Sequence, residues 1–146
     1  MAWKFKLQSV LNYRQSLEDQ AQQVLAASLL TQRQLVEQQQ QHQHDLDSSD
    51  RELKQRQKVG MTVAEMDIYE GRIYYCRNAI KKIDGLLLHL VTQIKDERQA
   101  LLVLARERQV MEKLKEKQEV EFHQELARTE RIMLDEISLR SKGNKL

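Results

Sequence analysis

The side chains with most chemical potential in this sequence are one cysteine and four histidines. His42 and His44 are separated by a single residue, which on a helix sets them about 200° apart, so they share no metal-binding face. Solvated polar positions account for both. His89 and His123 each stand alone, as surface or seam-flanking histidines do. Cys76 falls on an apolar repeat, where a small buried hydrophobe is expected rather than a nucleophile. No His or Lys adjoins it in sequence to lower its pKa. No P-loop, glycine-rich dinucleotide turn, paired-cysteine zinc pattern or nucleophile elbow occurs. The residues therefore predict no enzyme, no cofactor and no metal; whatever this chain does, it does by surface.

The elements that present such surface follow from composition. The chain has 146 residues, no Pro, four Gly and seven aromatics. Ala, Glu, Lys, Leu and Arg make up 68 residues and Gln another 19, the balance of a coiled coil or long helix. An all-β fold needs turn punctuation that is missing here. Mean hydropathy of -0.69 with 32% charged residues argues against a large globular core. Net charge is +2, with the signs interleaved along the chain, as on solvated helix faces and unlike the basic block of a nucleic-acid binder. One cysteine cannot close an intrachain disulfide and suggests a reducing compartment. The N-terminus has no apolar h-region, and no run approaches the ~18 residues of a membrane span. A soluble, intracellular protein is expected.

One break divides the pattern. Gly60 suits the left-handed position that ends a helix, and Thr62-Val63-Ala64-Glu65 is a capping box for the next one. The expectation is a single all-α hairpin spanning 1–146, with a helix over about 3–58, a turn at about 59–62 and a helix over about 63–140. Asp45-Leu46-Asp47-Ser48-Ser49-Asp50 is a second candidate break, but Leu46 and Leu53 keep a seven-residue step, which favours continuity. Beyond Gly60 the residues Met66, Tyr69, Ile73, Cys76, Ile80 and Ile83 alternate steps of three and four. The alternation continues through Leu87, Leu90, Ile94, Glu97, Leu101 and Leu104, the signature of a coiled-coil seam. In the first helix the corresponding residues are Leu7, Val10, Leu17, Ala21, Val24, Thr31 and Leu35, flanked by Leu11 and Leu25. The Gln-rich stretch 37–44 reads as a solvated helix surface.

Such helices need a partner for their apolar stripe. Folding at residues 60–61 pairs position i with roughly 122 minus i, an antiparallel coiled coil ~85 Å long. Helix 2 then outruns helix 1 by some twenty residues, roughly 30 Å. That overhang carries Phe122, Leu126, Ile132, Met133, Ile137 and Leu139, an unpaired apolar stripe suited to a protein partner. Two further surfaces stand out. Ile68, Tyr74 and Tyr75 near the turn lie off or beside the seam and either anchor an interface or broaden a thin core. The leucine-rich middle, Leu86 to Val91 and Leu101 to Leu104, is broader than the roughly 100° stripe one helix covers. It is either overpacked or a seat for a third helix. A self-associating coiled-coil scaffold or chaperone is the alternative reading.

The opening Trp3-Lys4-Phe5-Lys6-Leu7-Gln8-Ser9-Val10-Leu11-Asn12-Tyr13-Arg14, with Glu18 after it, resembles the start of the FliJ family of flagellar type III export proteins. Ala105-Arg106-Glu107-Arg108, Leu114-Lys115-Glu116-Lys117 and Leu134-Asp135-Glu136-Ile137 are similar to that family's C-terminal stretch. The resemblance implies a cytoplasmic component at the flagellar base, on the inner face of the membrane and peripheral to it only through partners. It implies an antiparallel coiled coil like a rotary-ATPase stalk, bound in the hexameric export ATPase (FliI-like), touching the export gate protein (FlhA-like) and in some members escorting export chaperones. No nucleic acid is involved. By resemblance the gate contact maps to Tyr69, Arg72, Ile73, Cys76, Ala79 and Ile83. Arg72 stands where the family would have an aromatic or apolar residue. The ATPase-facing candidates, from overhang and resemblance, are Trp3, Phe5, Leu7, Arg106 and Arg108 near the paired termini. Phe122, Leu126, Arg131, Ile132 and Ile137 continue them along the overhang.

Overall fold

The structure is a computed structural model, described over residues 2–143. Two helices run Gln8–Val59 (α1) and Val63–Gly143 (α2). They pack against each other as a hairpin, with α2 the longer. The polar stretch 37–44 and the Ser48-Ser49 site are both continuous helix. The sequence reading took the hairpin as a single domain; its contacts gather into two units, Met1–Gln20 with Leu101–Leu146, and Ala21–Ala100.

The turn forms as its residues dictate. Gly60 has φ 103° and its amide donates to the Arg56 carbonyl at 2.9 Å, a left-handed C-cap that a side chain would strain. Thr62 Oγ1 accepts the Glu65 amide at 3.2 Å, satisfying one orphan donor of α2. The Glu65 carboxylate reaches across to Arg56 at 3.8 Å.

The start of α1 differs from the expectation. The helix opens at Gln8, not near residue 3. Trp3 and Phe5 stand two residues apart, so in a non-helical segment they fall on one side. Phe5 is buried there and the Trp3 ring stacks on it, centroids 6.1 Å apart. The Gln8 amide then bonds the Phe5 carbonyl at 3.1 Å and the helix begins. An aromatic strap, not a first helical turn, precedes it.

The seam of α2 is the expected one. Tyr69, Ile73, Cys76, Ile83, Leu90 and Ile94 are its buried residues. The seam of α1 is so only in part: of the expected residues Leu17, Ala21 and Leu35 are half-buried. Leu7, Val10, Val24 and Thr31 are exposed, Val24 to 54%. Leu11, at 2% exposure, belongs to a different stripe, with Glu18 and Ser28 also buried. The stripe continues at three- and four-residue steps through Gln32, Leu35, Gln39, His42, Leu46 and Ser49, all half-buried. Much of the inward face of α1 is thus polar. The apolar positions lying beside the true seam gave the misleading repeat.

Those polar residues are seated because groups on α2 answer them. In the first unit Glu18 takes the Arg108 guanidinium, which also holds Glu112 at 2.8 Å, and Arg14 pairs with Glu107. In the second, Ser28 donates to Glu97 at 2.9 Å and Gln93 donates to Glu97 at 3.1 Å. Gln39 donates to Asp84, and Tyr69 donates to Glu52 at 3.2 Å. Within each unit these cross-pairs fall within four residues of the register 122 minus i. One oxygen of Glu97 is buried without a partner.

Candidate partner-binding surfaces

Near the turn, seam geometry decides what a partner can reach. Of the six residues placed at the gate-like contact, Tyr69, Ile73, Cys76 and Ile83 are buried between the helices, and Ala79 is half-buried. Arg72 alone is exposed; its guanidinium lies 5.5 Å from the Tyr69 ring centroid, with Arg56 at 5.8 Å. The Tyr69 ring therefore has two guanidinium groups within cation–π range, which favours its place in the seam. The Cys76 thiol is pushed above its usual pKa, chiefly by burial and then by the Asp45 carboxylate. A thiol so placed is protonated and unreactive at neutral pH.

Alongside these buried residues lies an open hollow of about 640 Å³. Asp45, Ser49 and Glu52 line it from α1, and Ile68, Arg72 and Tyr75 from α2. His42 meets the edge of Tyr75 with centroids 6.0 Å apart, while His44 is exposed. Among the described residues no three His, Cys, Asp or Glu side chains converge as metal ligands. The lining mixes short polar side chains with Ile68, Arg72 and Tyr75, so the hollow offers both polar and apolar contacts.

At the other unit the candidates divide. Phe5 is buried and Trp3 half-buried in the strap, above a hollow reaching Lys115 and Glu119. Leu7 and Arg106 are exposed. Arg108 is committed to Glu18 and Glu112, and their hydrogen bonds hold its guanidinium still more firmly protonated than usual. It serves as a seam residue, in keeping with its place on the continuing repeat of α2. Phe122 is half-buried, and every described residue from His123 onward is exposed. Leu126, Arg131, Ile132 and Ile137 all lie on that uncovered helix. At 3.6 residues per turn, Phe122, Leu126, Met133 and Ile137 fall within an arc of roughly 60°. Such an arc is an uncovered apolar stripe on one side of the helix.

Sequence reasoning missed the Glu18–Arg108 pair and the Ser28–Glu97 layer. The signal was present as charged and hydroxyl residues at facing register positions, and apolar spacing alone does not detect it.

Fold and surfaces together define a helical hairpin whose longer helix ends in an uncovered amphipathic segment. Residues 3–146 match the family described as flagellar FliJ protein, and the chain belongs to that family, a component of flagellar type III protein export. No curated protein and no solved structure matches the chain. Among the described residues no helix is long and apolar enough to cross a membrane.

Proposed function

We propose that the chain is the coiled-coil stalk of the export apparatus, binding the hexameric export ATPase through its overhang and coupling it to the export gate protein. It works at the cytoplasmic face of the flagellar base, and escort of export chaperones is a further role that family membership suggests. It catalyses nothing itself; the ATPase does the chemistry. The observation that carries this reading is the uncovered helix 123–143, with Leu126, Ile132, Met133 and Ile137 all exposed. A lone helical end frays in water because each turn costs conformational entropy with no packing to offset it. Seating the Phe122–Ile137 stripe in a partner supplies that packing and removes apolar surface from water.

The gate contact belongs at the turn end. Because Tyr69, Ile73, Cys76 and Ile83 are covered, Arg72 and Ala79 are the accessible members of that set, flanked by the groove of Asp45, Glu52 and Tyr75. The test of the main reading mixes the full chain with the export ATPase. It should promote ring assembly or ATP hydrolysis, and a chain ending at residue 120 should not. An undiminished response from the shortened chain would remove the overhang from the mechanism.

A second reading, self-association through the middle of α2, is favoured by exposed Leu86, Leu88 and Val91 opposite exposed Leu30. Sedimentation across a wide concentration range separates it: a concentration-independent monomer excludes it.

A further inference from the structure

Thirteen seam positions of α2 run from Tyr69 to Met111 at alternating steps of four and three, and eleven of them are apolar. The exceptions are Glu97 and Arg108. A leucine at either place would bury more apolar surface with less desolvation. Glu97 shows the penalty directly: its Oε2 is buried and has no partner. Its other oxygen accepts Ser28 Oγ at 2.9 Å and Gln93 Nε2 at 3.1 Å. Arg108 is held by Glu18, and by Glu112 at 2.8 Å. Stability of the hairpin alone does not account for two charges in an apolar seam.

The inward face of α1 is a poor match for such a seam. It offers Glu18, Ser28, Gln32, Gln39, His42 and Ser49, all buried or half-buried. By apolar burial alone, α2 pairs better with the α2 of a second copy. In a parallel, in-register pair each seam residue faces its own counterpart, so Ile73 meets Ile73 and Leu90 meets Leu90. Eleven of the thirteen layers are then wholly apolar. An antiparallel pair centred between Leu101 and Leu104 lets Glu97 meet Arg108. It also sets Leu90 on Lys115, Leu87 on Gln118 and Ile80 on Glu125. The parallel pair is therefore the competitor that α1 must outdo.

We infer that Glu97 and Arg108 choose the partner of α2: they hold it to α1 of its own chain and bar seam pairing with α2 of a second copy. In the parallel pair Glu97 faces Glu97 and Arg108 faces Arg108, so two layers oppose like charges. Gln93 and Glu112 lie on α2 and are present in either arrangement. The difference rests on α1, where Ser28 answers Glu97 and Glu18 answers Arg108. A single polar residue at a seam position is enough to fix register and oligomeric state in coiled coils, with some loss of stability. The unpartnered Glu97 oxygen is that loss made visible. The inference concerns the seam alone and stands whatever the overhang or the turn end binds.

Cys76 reports the outcome, because it is the chain's one cysteine and lies in the same seam. In the hairpin its thiol is covered, at 5% exposure. In the parallel pair it faces the second copy's Cys76, within reach of a disulfide. The experiment incubates the full chain with oxidised glutathione, which takes up the two thiol hydrogens as reduced glutathione. Non-reducing gels follow the disulfide-linked dimer, sedimentation gives the mass and circular dichroism the helix content. Wild type should stay unlinked. Glu97→Leu with Arg108→Leu should form the linked dimer at least about tenfold faster, with wild-type helix content. Glu97→Leu alone strands no charge, and Ser28 can turn to a carbonyl of its own helix, as Thr31 does to Ala27. This variant therefore folds even if the double one does not, and it should link several-fold faster than wild type. Glu18→Arg with Arg108→Glu restores the pair within the hairpin, keeps like charges opposed between copies and should behave as wild type. The proposal is overturned if the folded leucine variants link no faster than wild type, or if the charge swap links as they do. Dimers of the leucine variants by sedimentation without the disulfide would also overturn it, since they would mark association through an outer face.

Discussion

Single side chains set the seam's chemistry. Glu18 is buried and its carboxylate is answered by Arg108, whose side chain is 24% exposed. Removing one member of a buried pair strands the other, at a cost of several kcal/mol when fully buried. Partial exposure of Arg108 lets water reduce this. Glu18→Ala should therefore cost about 2 kcal/mol and lower the thermal midpoint by roughly 4–8 °C, read by circular dichroism. An unchanged midpoint would show that the pair contributes nothing net. Cys76 makes a pH prediction. Its folded pKa lies above the unfolded value because burial and Asp45 both disfavour the thiolate. The unfolded chain thus loses its proton first as pH rises. The stabilisation is fully present below the unfolded value of about 8.5 and disappears as pH climbs through the folded value. Cys76→Val should flatten the decline in stability above that point relative to wild type. Parallel curves for the two proteins would refute the assignment.

At the scale of elements, the strap and the two seams behave differently. Trp3 is the chain's one tryptophan and it stacks on Phe5, so its emission reports strap docking. Phe5→Ala should move that emission to longer wavelength while changing the midpoint by less than about 1 kcal/mol equivalent, because a terminal segment detaches locally. A large fall in midpoint with unshifted emission would mean that the strap is integral to the hairpin. The α2 seam was legible because Ile73, Ile80, Leu87 and Ile94 keep an unbroken apolar step. The α1 seam was not, because Glu18, Ser28, Gln39 and His42 occupy inward positions while Val10 and Val24 lie beside them. A pattern read by hydrophobicity alone rotates toward the nearest apolar residues. The turn was fully legible, since Gly60 and Thr62 act through local backbone chemistry that needs no partner.

For the whole chain, the contrast is between covered and uncovered helix. Amide exchange should be slow along the seam, around Ile83 to Ile94, and fast across 123–143, where every residue is exposed and fraying opens each hydrogen bond. Addition of the export ATPase should slow exchange in 123–143 specifically. Protection already present in the isolated chain would mean that the stripe is covered by something else, a second copy for instance, and sedimentation would then show it. Of the candidate site, the overhang was readable from the register: with the turn at Gly60, residues 123–143 of α2 have no facing position on α1, and they are exposed. The gate-like set was not, because resemblance gives positions along a helix and does not say which way each side chain faces.

The sequence by itself determined the helices, the turn, the approximate register and the family, because each rests on local propensity or on a repeat long enough to outweigh noise. Tertiary structure decided which stripe of α1 turns inward, that Arg108 is spent within the seam, and that Tyr74, Tyr75 and Lys81 face out together. Those outcomes depend on which group stands across the interface. A buried glutamate is prohibitive alone and acceptable beside an arginine, and only the folded pairing brings the two together.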